Sequence, residues 1–440
     1  MKVNRARGTQ DFLPAEALAR RWLRGRLEAV FERYGFEPLE TPAIERIETL
    51  LGQYGAEGEK LIFRILKRGE AGRRGESDLA LRYDLTVPLA RVVAMHANVP
   101  LPFKRYQIAP VWRAERPQRG RYWEFYQCDV DVVGSTSPLV EAEILTMAAK
   151  AYAALGFEDF TLRINDRRLL TGILRTAGIP EEQEVPTLII LDKLDKIQMA
   201  GVLEQLEAAG LSAEQRETLH ELMCIEGDND TRIERMTALG AHHDPAKEAG
   251  AGLHLILEGL RAAGVDEDRV RIDPVLARGL SYYTGPVFEV GIEGFPSSIG
   301  GGGRYDGLIG GFAGREIPAC GFSFGLDRIL LVAAERGLLP SRPSAAQVFF
   351  ARYKDVDINQ LLKMAAHARE EGIACDLFPD LLKPGRQLQY ASARGIPYAV
   401  LLGPDEVAES QVTIRDLRTR EQVTLPENAW IPYLKERLGR

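Results

Sequence analysis

Cysteine is scarce in this 440-residue chain: four residues, Cys128, Cys224, Cys320 and Cys375, far apart and with no C-x-x-C pair. That spacing speaks against a zinc site or a redox motif and fits reduced thiols in a core, so no structural metal is expected. Long apolar runs are also missing. The longest, Ile329 to Ala334, suits a core and falls far short of the roughly 20 residues a membrane helix needs. Behind the basic residues of MKVNRARGTQDF there is no apolar segment, so a secretory leader is not expected and a cytoplasmic location follows. Neither G-x-x-x-x-G-K-[ST] nor H-E-x-x-H occurs, which leaves any nucleotide to be bound without a P-loop. Nor is there an excess of positive charge. A net charge of -7 argues against a surface that coats nucleic acid throughout, though not against local contact.

What is present is an average soluble mix, 45% hydrophobic and 27% charged, long enough for two or three domains that each bury a core. After Pro14, the residues Leu18, Trp22, Leu27, Val30 and Tyr34 recur at helical spacing, and Gly35 ends the pattern. Between Leu61 and Val87 short β-like runs flank a basic turn at Lys67 to Gly75. Two aromatic and β-branched runs within FKRYQIAPVWRAERPQRGRYWEFYQCDVDVVG, joined by a polar loop holding Pro117 and Gly120, predict an antiparallel hairpin with a long functional loop. From about Thr171 to Ala263 the composition turns to Leu, Glu, Ala and Lys at helical spacing, as in an inserted helical module. Strand-like runs return from Arg278 to Ile292, followed by a glycine cluster and a helix from Gly325 to Gly337. Beyond PSRPSA (Pro340 to Ala345), strands alternate with helices and end in a hairpin, which indicates a small α/β domain with a largely parallel core. Its acidic and basic residues balance at thirteen each, so charge alone reveals no partner.

Two motifs compete for the chemistry. Gly321, Ser323 and Gly325 match the G-x-S-x-G nucleophile elbow, but only His367 lies downstream to complete a triad, in what reads as another domain. The hairpin is more specific. From Arg113 to Arg121 it carries four arginines against one glutamate. Arg113 and Glu115 alternate on one strand, and Arg121 and Phe125 across the turn have matching parity, so all four can share a face of the sheet. Cationic forks, a carboxylate and an aromatic plate on one face suit a purine nucleotide, whose phosphates attract arginine and whose base stacks.

That arginine-x-glutamate strand, loop and returning aromatic strand resembles motif 2 of the class II aminoacyl-tRNA synthetases. ACGFSFGLDRIL (Ala319 to Leu330) resembles motif 3, with Arg328 as its arginine and glycines that let backbone pass close to ATP; Pro42 fits motif 1 loosely. LARGLSYYTGPVFEV (Leu276 to Val290) and GGGGRYDGL (Gly300 to Leu308) resemble the pair of signatures peculiar to histidyl-tRNA synthetases, with Ser281 where many members have aspartate. RGTQDF at Arg7 and LRYDLTVP at Leu81 extend the likeness over nearly the whole chain.

The fold so implied is α+β: a class II antiparallel sheet with flanking helices, an inserted helical module and a C-terminal α/β anticodon-binding domain. The expected boundaries are 1–170 and 264–339 for the two parts of a catalytic core, 171–263 for the module, 340–345 for a linker and 346–440 for the anticodon-binding domain. The resemblance also implies ATP-dependent ligation of L-histidine to its tRNA through an adenylate, with Mg2+ accompanying ATP and no protein side chain assigned to it. Arg113 and Arg278 would be catalytic, flanking the α-phosphate. ATP would meet Arg113, Glu115, Arg121, Phe125 and Arg328. Histidine would meet Asp84, Leu85, Thr86, Gln127, Arg113 and Arg278 at its backbone end, and Asp131, Tyr283 and the adjacent Tyr282 at its imidazole. A homodimer follows from the class. The rival within the same fold is a histidine-sensing regulatory subunit of ATP phosphoribosyltransferase; such proteins usually lack the C-terminal domain and parts of the catalytic motifs, both of which this chain keeps.

Overall fold

A computed structural model describes residues 3–54, 58–117, 121–278, 283–341 and 343–439. By contacts the chain divides into two compact units, one made of Met1–Gln10 and Leu23–Leu338, the other of Asp11–Trp22 and Leu339–Arg440.

The larger unit is built on an eight-stranded sheet. Its strands are β1 (Glu37–Pro38), β5 (Phe103–Trp112), β6 (Glu124–Val133), β7 (Phe160–Asp166), β8 (Val270–Ile272), β9 (Pro286–Ile292), β10 (Phe295–Arg304) and β11 (Ala319–Phe324), in the order β1-β5-β6-β11-β10-β9-β7-β8. Only the edge pairs β1–β5 and β7–β8 are parallel. A three-stranded antiparallel sheet adds β2 (Ile44–Arg46), β3 (Arg64–Leu66) and β4 (Ser77–Leu81), with β4 in the middle.

Alternation along β6 assigns the faces of the large sheet. Cys128, Val130 and Val132 are buried on one side, in register with Phe324, Phe322 and Cys320 of β11. Two helices cover that side through aromatic contacts: Phe31 of the helix Pro14–Arg33 and Tyr152 of the helix Leu139–Ala154 lie 5.3 and 5.4 Å from Phe324. Phe125, Gln127, Asp129 and Asp131 therefore share the opposite side. The residues that the first helix buries are Leu23, Leu27, Val30 and Phe31, so of the positions the spacing singled out only Leu27 and Val30 are fully buried, while Leu18, Trp22 and Tyr34 are half-buried.

Six helices, from Arg167–Thr176 to Asp244–Ala262, occupy the stretch read as a helical insertion. The first is capped by Asp166 at the end of β7, whose carboxylate accepts from the Arg168 amide at 2.8 Å, so sheet and helices are joined without slack. The smaller unit has the sheet order β13-β12-β14-β15-β16, from β12 (Val348–Ala351), β13 (Cys375–Leu377), β14 (Tyr398–Leu401), β15 (Gln411–Asp416) and β16 (Gln422–Pro426). Its first three strands are parallel and the last two antiparallel, as the alternation of helices and strands required.

Local expectations fail in four places. The basic turn at Lys67 to Gly75 contains a helical turn, Gly69–Arg73, ion-paired through Arg73 and Glu70. The strand before Ile292 begins only at Pro286, with Arg278 well ahead of it. Gly300 to Gly303 are the body of β10, followed by an unforeseen helix, Asp306–Ala313. The four cysteines are free, but Cys224 is exposed and Cys375 half-buried, so only Cys128 and Cys320 are core thiols.

Candidate active site

Strand register lays polar residues in rows across the face opposite the helices. One row reads Arg105, Asp131, Gly321, Gly303 and Val287 across β5, β6, β11, β10 and β9. The next reads Gln107, Asp129, Ser323, Gly301 and Glu289, and ends on Arg163 of β7. Carboxylates this deep require partners. Arg105, with no exposed surface, pairs with Asp131 at 2.6 Å, and the Tyr305 hydroxyl donates to the same carboxylate. Ser323 donates to Asp129 at 2.5 Å. Asp84 accepts from the Tyr54 hydroxyl at 3.1 Å and the Val87 amide at 3.0 Å. Burial pushes all three carboxyls up; for Asp129, where Arg105 opposes the rise and Asp131 adds to it, the value reaches about 7.

Beside these rows opens a cleft of about 380 Å³, within the range of small-molecule sites. It brings together Arg113, Glu115, Arg121, Phe125, Gln127, Arg278, Tyr283 and Arg328 from four separate stretches of chain. Strand β5 ends at Trp112, so Arg113 and Glu115 lie in the loop, where the sequence placed them on the strand. The hairpin pairing nevertheless continues: the Arg113 amide donates to Trp123 O at 2.9 Å, and Trp123 Nε1 donates to Glu115 O at 2.7 Å. The Arg113 guanidinium lies over Tyr83 (4.4 Å) and Phe125 (5.2 Å), and its Nε donates to Tyr83 O. Arg121 meets Glu115 at 3.1 Å. Arg278 is anchored by Glu289 at 2.9 Å, and Arg328 by a 2.8 Å hydrogen bond to Ser298 O. Burial, then the nearby cations Arg278 and Arg121, hold the Arg328 guanidinium below its ordinary value against the pull of Glu289 and Glu115. A cleft lined by four guanidinium groups has the charge that suits a polyanion.

Asp84, Leu85, Thr86 and Asp131 do not line this cleft. Leu85 is fully buried and its carbonyl accepts from Arg105, and Thr86 opens the helix Thr86–Met95, whose first turn Asp84 caps. Tyr282 and Ser281 lie outside the described residues.

Two glycines make room for protein side chains. A Cβ on Gly321 would come within 2.0 Å of an Asp131 oxygen, and one on Gly301 within 1.8 Å of Arg278 Nη1. Both give way to protein side chains. Arg304 and Tyr305, in the same string as Gly301, act inward too: Arg304 pairs with buried Glu141 at 2.5 Å, and Tyr305 holds Asp131. Arg105, Asp129, Glu289 and Tyr305 escaped the sequence reading. The available signal was the polar alternation of β6 and an arginine, Arg105, placed inside an apolar strand.

Comparison with known proteins agrees with this geometry. A family model described as histidyl-tRNA synthetase matches residues 8–329, and an anticodon binding domain model matches residues 354–437. The histidine--tRNA ligase of Gloeobacter violaceus is 45% identical over 445 residues, covering 95% of each chain. The crystal structure of histidyl-tRNA synthetase from Nostoc sp. PCC 7120 superposes with a TM-score of 0.88 at 32% identity, over 99% of this chain and 100% of that one. A Bacillus halodurans structure described as an ATP phosphoribosyltransferase regulatory subunit/histidyl-tRNA synthetase has a TM-score of 0.74 at 22% identity over 89% of this chain and 97% of that one, a likeness of fold alone. With a family model spanning most of its length and relatives matched nearly end to end, the chain belongs to the histidyl-tRNA synthetase family.

Proposed function

We propose that the cleft holds ATP with histidine beside it, and that Arg113 and Arg278 act on the reacting atoms. The family's reaction is ATP-dependent ligation of histidine to its tRNA. The histidine carboxylate attacks the α-phosphorus, pyrophosphate leaves, and the histidyl group then passes from the adenylate to the terminal ribose. Negative charge gathers at phosphorus in the first step, so fixed cations contribute more there than a protein nucleophile could. The observation that carries the reading is the convergence of Arg113, Arg121, Arg278 and Arg328 on one cleft.

In this assignment Arg113 and Arg278 flank the α-phosphate. Arg121 and Arg328 take the γ-phosphate, and Arg328 also covers an adenine stacked on Phe125. Glu115 accepts from the adenine amino group. Gln127, which lines the cleft, is assigned to the ammonium and carboxylate of histidine together with Asp84, Leu85 and Thr86, which lie outside its lining. Asp131 and Tyr283, with Tyr282, serve the imidazole, which presents one donor and one acceptor. Amino acids without an imidazole would forgo the hydrogen bonds these groups offer, and are disfavoured for that reason. Mg2+ would accompany the ATP and offset charge between its outer phosphates, with no side chain assigned to it. A homodimer accords with the synthetase class. The proposed location is cytoplasmic; among the described residues no helix is long and apolar enough to cross a membrane. The domain boundaries remain those drawn from sequence, with residues 346–440 as the part that meets the anticodon.

Arg278→Ala tests the assignment. Histidine binding by calorimetry should persist, while histidine-dependent ATP–pyrophosphate exchange falls about a thousandfold. An unchanged rate removes Arg278 from the mechanism.

A further inference from the structure

Glu289 stands next to last in a polar row, beside Arg163, and its side chain also meets Arg278. Its carboxylate is divided: Oε2 lies 2.9 Å from Arg278 Nε, and Oε1 lies 3.7 Å from Arg163 Nη1. Arg163 is in turn held by Asp273 through Nε and reaches Asp195 Oδ2 at 3.1 Å through Nη2. Asp195 belongs to the helix Leu194–Ala208, inside the stretch read as the inserted module. Alternating charges thus run from Arg278 through Glu289 and Arg163 to Asp195. A second contact arrives from the same segment: the Asp192 carboxylate faces the Ala277 backbone, one residue before Arg278, and feels both Arg278 and Arg163. The backbone of this segment is itself interrupted, with Gln198 at φ 61.

We infer that Glu289 is a positioning residue for Arg278, and that the inserted helical segment steadies it from behind through Arg163 and Asp195. Glu289 meets Arg278 at Nε. The two Nη groups keep long contacts, 3.4 Å to Gly300 O and 3.3 Å to Ser298 Oγ, and so remain available to an oxyanion. A guanidinium is planar, so the carboxylate that fixes one edge fixes the aim of the others. Arg163 is held at Nε by Asp273 and at Nη2 by Asp195, and presents Nη1 to Glu289 as an ion pair at 3.7 Å, so its charge backs the carboxylate that aims Arg278. The outermost link is weak, since the Asp195 side chain is 69% exposed. It adjusts the aim of Arg278 and is not needed for the fold. The inference rests on the reading of Arg278 as the arginine at the α-phosphate.

The test is a double-mutant cycle of Glu289→Gln and Asp195→Asn in the full chain, with Glu289→Asp and Arg278→Ala beside it, read by ATP–pyrophosphate exchange and thermal melting. Glu289→Gln should lower kcat about tenfold with both KM values within about twofold, and Glu289→Asp should recover part of the loss. Asp195→Asn should lower kcat about threefold, consistent with an exposed pair, and should do nothing further once Glu289 is Gln. Additive effects, or an Asp195→Asn enzyme at the wild-type rate, overturn the relay; a Glu289→Gln enzyme at the wild-type rate overturns the positioning role. Should Glu289→Gln fail to fold, the rate of Asp195→Asn decides. If Arg278→Ala alone leaves exchange intact, the underlying reading of Arg278 fails first and the inference falls with it.

Discussion

Replacing Gly321 by alanine should damage histidine recognition while sparing ATP. Gly321 lies in β11 directly opposite Asp131 of β6. Its backbone is ordinary strand, so alanine brings no conformational strain, only a methyl group. That methyl would stand 2.0 Å from Asp131 Oδ1, 2.8 Å from Cγ and 3.1 Å from Val130 O. To reach an ordinary 3.4 Å contact the oxygen must retreat by roughly 1.4 Å. It cannot do so freely, because Asp131 is 3% exposed, paired with Arg105 at 2.6 Å and hydrogen-bonded by Tyr305. Any retreat breaks one of these or turns the carboxylate away from its ligand. A displacement of about 1 Å at a positioning group costs about a hundredfold, and a lost charged hydrogen bond about 1.5–3 kcal/mol, which agree. We therefore expect kcat/KM for histidine in ATP–pyrophosphate exchange to fall about a hundredfold. The KM for ATP should stay within about threefold, since the arginine cleft does not include Asp131. Gly311→Ala, where a Cβ meets nothing within 4 Å, is the control and should match wild type. The reasoning is refuted if Gly321→Ala alters both substrates equally or neither.

Two further outcomes concern charge in the interior. The Asp129 carboxyl is raised to about 7 in the fold from an ordinary 3.8, so the native state binds the extra proton between those values. Its contribution to stability is then full below about 4 and is lost as the pH rises through 7. Asp129→Asn should abolish that slope, so its urea-unfolding advantage over wild type should grow from pH 5 to pH 8; a constant difference would sink the idea. Arg304→Met strands Glu141, which is 1% exposed, without its cation, and should cost about 3–5 kcal/mol in denaturant unfolding, partly restored by adding Glu141→Gln. A loss under about 1 kcal/mol would show that the pair is not needed.

Much of this site can be read from sequence because the groups that line its cleft lie in short, dense strings. Arg113, Glu115, Arg121 and Phe125 fall within thirteen residues, and hairpin parity alone puts them near one another. Arg328 and Arg278 were placed by resemblance, and the fold brings both to the same cleft. The supporting groups are harder to see. Arg105 sits in an apolar strand and meets Asp131 only through the β5–β6 register. Glu289 meets Arg163 only through the β7–β9 register, across more than a hundred residues of sequence, and meets Arg278, eleven residues before it, only because the chain folds back ahead of the strand. Gly321 reads as room for nucleotide, and only the structure shows that its missing side chain makes room for the Asp131 carboxylate. The helical turn at Gly69–Arg73 was missed because glycine and arginine there carry no apolar period, and its exposed residues are held by local ion pairs.

The most direct test of the whole account is ATP–pyrophosphate exchange by the full chain with each amino acid in turn. Exchange should depend on histidine and be faster with it than with any other amino acid. Exchange absent with histidine, or faster with another amino acid, would contradict the account.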